Sequence, residues 1–446
     1  MTASSDAKKV FRIGMLGFGT VGAGTAQIVL HSRPSLKEKT GIDIQIRRIA
    51  VRDMKKHRAV SIDPVLFTSD GQAVVDDPEV DIVVEVIGGI EPARTLILRA
   101  LKSGKAVVTA NKALLATHGK ELFETALAHG GSIGFEASVC GGIPVIGALR
   151  DGLVANRIES IHGILNGTTN YILTRMVEDK VSYAQCLYEA QSKGYAEADP
   201  STDVKGIDAA HKLTLLSNLA FHSIFDFSEV HAEGIDGLAL DDVRYASDLG
   251  YAVKLLAVAK RRNPGADPED FPGGLELRVH PALVPFSHPL ANVRDVNNAV
   301  LIRGDATGEV MLYGRGAGMM PTGSAIVADI MDAARGSARQ TFTKLQFFQN
   351  PREDMPVIPT DKIRSRYYVR FNVDDRPGVM GKVASVLGGH GVSIASVIQK
   401  EPHETGFVPI VMLTHLSVED RFQAARAEIE SLPFVRKPSA FYRVED

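Results

Sequence analysis

"VFRIGMLGFGTVGAGTAQIVLH", residues 10–31, moves from an apolar run through a glycine-spaced turn into a helical period. Gly17, Gly19 and Gly22 stand in the pattern G-x-G-x-x-G at that junction. At such a turn the first glycine permits a tight bend, the second lets the backbone approach a pyrophosphate, and the third lets the helix pack closely on the strand. The helix N-terminus supplies free N–H donors and a partial positive charge. The spacing by itself is weak, since a purely structural glycine turn can show it. Between a strand and a helix it points to a bound dinucleotide.

Downstream, "IDIQIRRIAV" (42–51), "VDIVVEVIG" (80–88) and "KAVVTA" (105–110) are continuous apolar runs, and the helical "EPARTLILRALKSG" separates the last two. Strands without polar alternation are buried on both faces, as in a parallel sheet covered by helices. Residues 1–150 are therefore expected to form a doubly wound α/β domain of the Rossmann type. The second strand ends in "AVRDMKKHR" (50–58). Asp53 there could take the ribose hydroxyls of NAD, or Arg52 with a lysine could hold the 2′-phosphate of NADP. The local positive charge favours NADP, although Lys55 and Lys56 read equally well as a solvated basic loop.

Residues 151–340 change texture to α+β, with "RIESIHGIL" and "LELRVHPALV" as strands and "LTLLSNLAF" as a helix. Residues 341–365 carry prolines and charges without a period and read as a linker. From residue 366 to 446 the order strand, helix, strand, strand, helix, strand describes a small ferredoxin-like domain.

The 446 residues contain 50 lysine plus arginine against 53 aspartate plus glutamate, so no electrostatic footprint for nucleic acid or an anionic membrane is present. A small-molecule partner is expected. Cys140 and Cys186 offer no metal spacing and read as packed thiols of a reducing compartment. The polar start "MTASSDAKK" lacks the pattern of a secretory signal, and no apolar run approaches the roughly 20 residues of a membrane span. A cytoplasmic protein is expected.

"GYAEADPSTDVKGIDAAHK" (194–212) gathers Glu197, Asp199, Asp203 and Asp208. It is either a solvated loop entering a helix or a place for something positively charged. Asp203 is expected to cap the following helix. Asp208 and Lys212, four residues apart, share one helix face beside the apolar Ala209, Leu213, Leu216 and Ala220, and by spacing alone they read as a surface ion pair. An EF-hand does not fit, because the spacing is wrong and the central glycine is missing.

Taken in order, "GFGTVG", "TANKALL", "FEASVCGGIPVI", "ILNGTTNYIL" and "GYAEADPSTDVKGIDAAHKL" resemble the homoserine dehydrogenase family. The tail "VDDRPGVMGKVASVLGGHGVSI" resembles an ACT domain, an amino-acid-binding regulatory module. The resemblance implies NAD(P)H-dependent, reversible reduction of L-aspartate 4-semialdehyde to L-homoserine, in threonine, methionine and isoleucine biosynthesis. It implies Lys212 as proton donor with Lys112 beside cofactor and substrate, and Glu197 and Asp208 around the substrate ammonium, to which Asp203 of the same acidic stretch is added as a substrate-binding candidate. It implies cofactor contacts at Gly17, Phe18, Gly19, Thr20, Val21 and Gly22, with further ones at Arg52, Gly88, Lys112, Gly194 and Gly316. Glu136 with the main chain at Val139, Gly141 and Ile143 would surround a monovalent cation, Na+ in the resembling proteins. The last helix, starting near Pro321, would return to the first domain. A homo-oligomer, dimer or tetramer, and a threonine effector on the ACT domain complete the expectation. The readings competing with it are a non-catalytic sensor of NADPH and an amino acid, and an oxidoreductase of a related semialdehyde.

Overall fold

A computed structural model describes residues 10–262, 273–338, 355–399 and 407–445. The chain divides into two units: residues 1–158, 211–228 and 298–354 form the first, and residues 159–210, 229–297 and 355–446 the second.

In the first unit, β1 (Val10–Leu16), β2 (Asp43–Ala50), β3 (Phe67–Thr68), β4 (Ile82–Glu85), β5 (Ala106–Thr109) and β6 (Ser132–Gly134) build a sheet in the order β3-β2-β1-β4-β5-β6. Every pair is parallel. This is the doubly wound order, whose ligand crevice lies where the order reverses, between β1 and β4. The continuous apolar runs are explained by burial on both faces: Ile13, Met15, Val83, Val84, Val107 and Val108 have no exposed surface. Each such side chain contributes roughly 1.5–3 kcal/mol relative to its exposed state.

The helix Met319–Arg335 comes from far along the sequence and packs on the helix Thr20–Thr40 at backbone distance. A Cβ at Gly323 would lie 2.8 Å from the Gly24 carbonyl carbon, and one at Gly24 would run into the Met319 carbonyl oxygen. Glycine at both positions is what allows Ile326 and Ile330 to reach the core formed with Ile13, Met15 and Val84.

In the second unit come β7 (Ile158–Ile164), β8 (His231–Ala232), β9 (Tyr251–Arg262) and β10 (Gly274–Pro285). β9 and β10 pair antiparallel along their whole length, from Tyr251↔Pro285 to Arg262↔Gly274. The neighbouring strands β11 (Asn297–Gly304) and β12 (Gly308–Arg315) lead back into the first unit. The C-terminal part of the second unit holds β13 (Arg364–Asp374), β14 (Ile394–Gln399), β15 (Phe407–Thr414), β16 (Ser417–Val418) and β17 (Val435–Val444), with helices Val379–Gly389 and Glu419–Glu430. Its strands run β17-β13-β15-β14, the expected ferredoxin-like arrangement. Tyr367 stacks on Phe422 at 4.0 Å over a core of Val369, Phe371, Val383, Leu387 and Ile410.

Of the expected linker, residues 341–354 lie outside the described residues. The segment after residue 354 is tied to β10: Leu275 donates its N–H to the Pro356 carbonyl and Ile358 donates to the Leu275 carbonyl, both at 2.9 Å, with Ile358 buried. Among the described residues no helix is long and apolar enough to cross a membrane.

Candidate active site

The glycine turn closes as its spacing requires. Gly17 has φ +104°, and a Cβ there would lie 2.7 Å from the Val86 carbonyl oxygen. A Cβ at Gly22 would lie 2.7 Å from the Gly17 carbonyl oxygen, so the third glycine seats the helix on the turn. Gly19 is different: it is exposed and a Cβ there would meet nothing within 4 Å. As N-cap it gives the helix no side-chain bond, and no acidic residue sits in the first turn with Thr20 and Val21. Open space facing unused N–H donors fits a pyrophosphate. Phe18 packs edge-on against Phe67 at 5.4 Å.

At the carboxyl ends of β4 and β5, a polar network that the sequence reading missed sets the next loop. Glu85, fully buried, accepts Thr109 Oγ1 at 2.6 Å and the N–H groups of Ile87 and Gly88 at 2.8 and 3.3 Å. Asn111 donates to the Gly89 carbonyl at 2.7 Å while its Oδ1 caps the helix Lys112–His129 at Leu114. Gly88 and Gly89 both have positive φ, with open space where a Cβ would stand. Lys112 thereby becomes the first helical residue at the carboxyl edge of the sheet. The signal was available: a lone glutamate within "VDIVVEVIG" is a buried charge in need of donors.

Arg52 and Asp53 are both exposed at the end of β2. The Asp53 carboxylate accepts Lys55 N–H at 2.8 Å, and Arg58 donates to the Asp53 and Lys56 carbonyls while lying 4.4 Å over the Phe67 ring. Arg58, not singled out in the sequence, therefore organises this basic loop. It lines a cavity of about 440 Å³ with Lys56, His57 and Phe67.

Glu136 is buried, and its two oxygens accept the N–H groups of Ile146 and Gly147 at 2.8 and 2.7 Å. Burial nevertheless raises its pKa. Its own N–H donates to Asp329, whose carboxyl is pushed up to about 8 by burial and by the charge of Glu136. The Glu136 carboxylate thus receives one backbone donor on each oxygen, with further acceptor capacity on both. Val139 and Ile143 are buried, and Gly141 (φ +42°) lies so close to Gly316 that a Cβ would stand 2.6 Å from the Gly316 carbonyl oxygen. Asn298 Nδ2 is 3.8 Å from Cys140 Sγ, and its Oδ1 is buried without a hydrogen-bond partner. Among the described residues no cluster of three acidic, histidine or cysteine side chains could hold a metal ion.

The acidic stretch departs from what spacing alone suggests. Asp203 sits inside the short helix Ser201–Val204, and its carboxylate takes Asn166 Nδ2 at 2.8 Å and lies 3.1 Å from Thr168 Oγ1; it is gathered into a side-chain cluster and is not simply a cap. Asp208 and Lys212, a surface pair by spacing alone and site residues by the family resemblance, are 5% and 8% exposed on the helix Ile207–Phe221. Ala209, Leu213, Leu216 and Ala220 are buried with them, so the whole face is internal.

Asn166 was not foreseen as a site residue. Its Oδ1 caps the helix Gly167–Glu178 at Thr169, and both protons of its Nδ2 are used, on Asp203 at 2.8 Å and Asp208 at 2.9 Å. One amide thus holds two carboxylates side by side. A turn later, Asn170 is fixed by the carbonyls of Val293, Asp295 and Asn297 and by buried Lys254, whose pKa burial pulls down to about 8. Glu197 is exposed, in a loop whose carbonyls Gln191 holds. Gly194 is exposed at φ +72°.

A dinucleotide turn on a doubly wound sheet, with a buried lysine and paired carboxylates on neighbouring segments of the chain, defines a nicotinamide-dependent oxidoreductase. Family comparisons agree with that class. Residues 17–136 match the homoserine dehydrogenase NAD-binding domain, 144–331 the homoserine dehydrogenase domain, and 367–434 the ACT domain. A homoserine dehydrogenase of Pseudomonas aeruginosa is 43% identical over 98% of this chain and 99% of its own. The crystal structure of one from Thiobacillus denitrificans aligns with a TM-score of 0.90 at 43% identity, over 99% of both chains. A hyperthermophilic archaeal homoserine dehydrogenase in complex with NADPH aligns over 73% of this chain, with a TM-score of 0.59 at 29% identity. The chain belongs to the homoserine dehydrogenase family.

Proposed function

We propose that the enzyme reduces L-aspartate 4-semialdehyde to L-homoserine, with NADPH preferred over NADH. The observation carrying this reading is the pair Asp203 and Asp208 held by one amide, in a segment that continues into buried Lys212. Two adjacent carboxylates suit an α-ammonium that must leave water, since a desolvated cation needs ionised partners. Asp208 takes the principal contact, with Asp203 and Glu197 beside it.

Bound nicotinamide supplies the hydride for the aldehyde carbon. Lys212 stabilises the charge growing on the aldehyde oxygen and gives it a proton. Lys112 adds a second positive group at the carboxyl edge of the sheet. Gly17 to Gly22 receive the pyrophosphate. Gly88 and Gly194 offer main chain with open space where a Cβ would stand, and Gly316 offers its main chain while its other side packs on Asn298. The loop Val139, Gly141 and Ile143 offers carbonyl oxygens to a monovalent cation such as Na+, a hard ion suited to them, and the unpartnered Asn298 Oδ1 supports an oxygen-lined site there. In the reverse direction Lys212 must act as a base. A base must be in its neutral form, so homoserine-dependent reduction of NADP+ is expected to accelerate as pH rises above neutral. A rate independent of pH up to strongly alkaline conditions would oppose a lysine base.

NADPH preference rests on Arg52. Arg52→Ala is expected to raise the KM for NADPH about tenfold or more, equivalent to a lost charge-assisted contact of about 1.5–3 kcal/mol, and to leave NADH nearly unchanged. Equal changes for both coenzymes would transfer the preference to Asp53 or the main chain.

The ACT module is proposed to bind L-threonine. In "DDRPGV", Gly378 (φ +89°) starts the helix Val379–Gly389 with no side-chain cap, leaving N–H donors for a carboxylate. Inhibition of the forward reaction by millimolar threonine, absent with lysine or methionine, is the check; indifference to threonine would leave the module an assembly element. A homo-oligomer, dimer or tetramer, in a reducing cytoplasm completes the reading, which the buried free thiols Cys140 and Cys186 suit.

A further inference from the structure

β10 is the strand on which the substrate segment and the C-terminal module meet. On one side β8 pairs with it (Arg278↔His231, Val279↔Ala232), and at its end β17 joins it in parallel (Ala282↔Arg443, Leu283↔Val444). Arg443, 2% exposed, makes a bidentate pair with Glu419 at 2.9 Å and turns its remaining nitrogen to Glu233 at 3.1 and 3.2 Å. Arg278 similarly reaches Glu445 at 2.6 Å and Glu276 at 3.0 Å.

Glu233 lies immediately after β8 and carries this contact onward. Its N–H donates to the Val279 carbonyl at 2.7 Å, and Ile235 N–H donates to the Val204 carbonyl at 2.8 Å. A Cβ on Gly234 would collide with the Val204 carbonyl and stand 2.6 Å from Lys205 Cα. Gly206, at φ +79°, would place a Cβ 3.2 Å from the Glu233 carbonyl oxygen and 3.1 Å from Val279. Residues 233–235 are therefore the floor under residues 204–206, and residues 204–206 are the link between Asp203 and Asp208.

We infer that Arg443, in the last strand of the ACT module, is a positioning residue of the substrate site, acting through Glu233 to fix the spacing of Asp203 and Asp208. The inference rests on the proposed binding of the substrate ammonium by those carboxylates. Burial opposes the charge on Glu233, but the His231 hydrogen bond and the Arg443 charge outweigh it and hold its carboxyl down at about 2. The pair is therefore ionised wherever the enzyme works. The module is also not a removable appendage: cutting the chain before β13 strips β10 of a partner strand, takes Arg443 from Glu233, and leaves Arg278 with Glu276 alone after the loss of Glu445. Point variants, and not truncation, are the proper test.

Glu233→Gln keeps the shape of the side chain and removes its charge. It is expected to raise the homoserine KM about 3–30-fold, the range in which mutations distant from a ligand modulate its binding, with the NADP+ KM within about twofold of the parent. Arg443→Gln should do the same where it folds, and the double variant should be little worse than the worse single one, because both changes break one link. Thermal unfolding of each variant shows whether it folds, and Glu233→Gln carries the test if Arg443→Gln does not. Asp208→Asn, measured alongside, separates the two levels: an unchanged homoserine KM there overturns the ammonium reading itself. If Asp208→Asn raises that KM while Glu233→Gln leaves it unchanged, or moves both KM values together, the pair is structural only and the inference is overturned.

Discussion

Lys212→Ala is expected to lower turnover by about 10²–10⁴-fold while the enzyme still binds NADPH. The substitution removes the proton donor and leaves the glycine turn that receives the coenzyme untouched. Lys212 is 8% exposed on a helix face whose apolar members are buried, so its ammonium is held in place and not solvated at the surface. A positioned donor facing a growing oxyanion acts mainly in the transition state, and its loss should therefore fall on kcat more than on KM. Coenzyme fluorescence titration separates binding from chemistry. Near-normal turnover would remove Lys212 from the mechanism and leave Lys112 as the candidate.

Asp208→Asn is expected to lower kcat/KM for homoserine by about 30-fold or more, since removing one partner of a desolvated charge pair costs about 2–5 kcal/mol. An asparagine preserves the volume and can still accept the Asn166 proton that Asp208 takes at 2.9 Å, so the local fold is expected to survive. What it loses is the negative charge opposite the ammonium. The effect should appear for homoserine and not for NADP+. An equal loss with both would show that the substitution disturbs the helix Ile207–Phe221 as a whole.

Local patterns in the sequence carried much of the fold. The glycine spacing at residues 17–22 and the apolar runs around it predict a sheet that the structure displays in the doubly wound order, because both features follow from short-range sterics and burial. The C-terminal strand and helix order was readable for the same reason: each element has its own period, and the first helix is closed by glycines. β9 was not distinguished, since "YAVKLLAVAK" is apolar on both faces and such a run does not separate strand from helix by period. Pairing between distant segments was the main thing hidden. Nothing local in "FYRVE" says that β17 will lie beside β10, or that Arg443 will meet Glu233 across 210 residues.

The site divides in the same way. Lys212, Asp208 and the glycines stood out by motif and by family resemblance. Asn166 and Glu85 did not, because a cap and a strand glutamate gain their roles only when other chain segments bring carboxylates or a threonine hydroxyl within hydrogen-bond reach. Asp203 looked like a cap for want of the Asn166 and Thr168 partners that structure supplies. Spacing alone assigned Asp208 and Lys212 to the surface; the family resemblance pointed the other way, and their burial among the neighbouring leucines agrees with it.

The most direct test of the central claim is the forward reaction itself: loss of NADPH absorbance on adding L-aspartate 4-semialdehyde to the full-length enzyme, with the product identified by amino-acid analysis. The account predicts one homoserine formed for each NADPH consumed, and no consumption with an aldehyde of the same length that lacks the α-ammonium. Equal rates with both aldehydes, or NADPH left unconsumed with the semialdehyde, would contradict it.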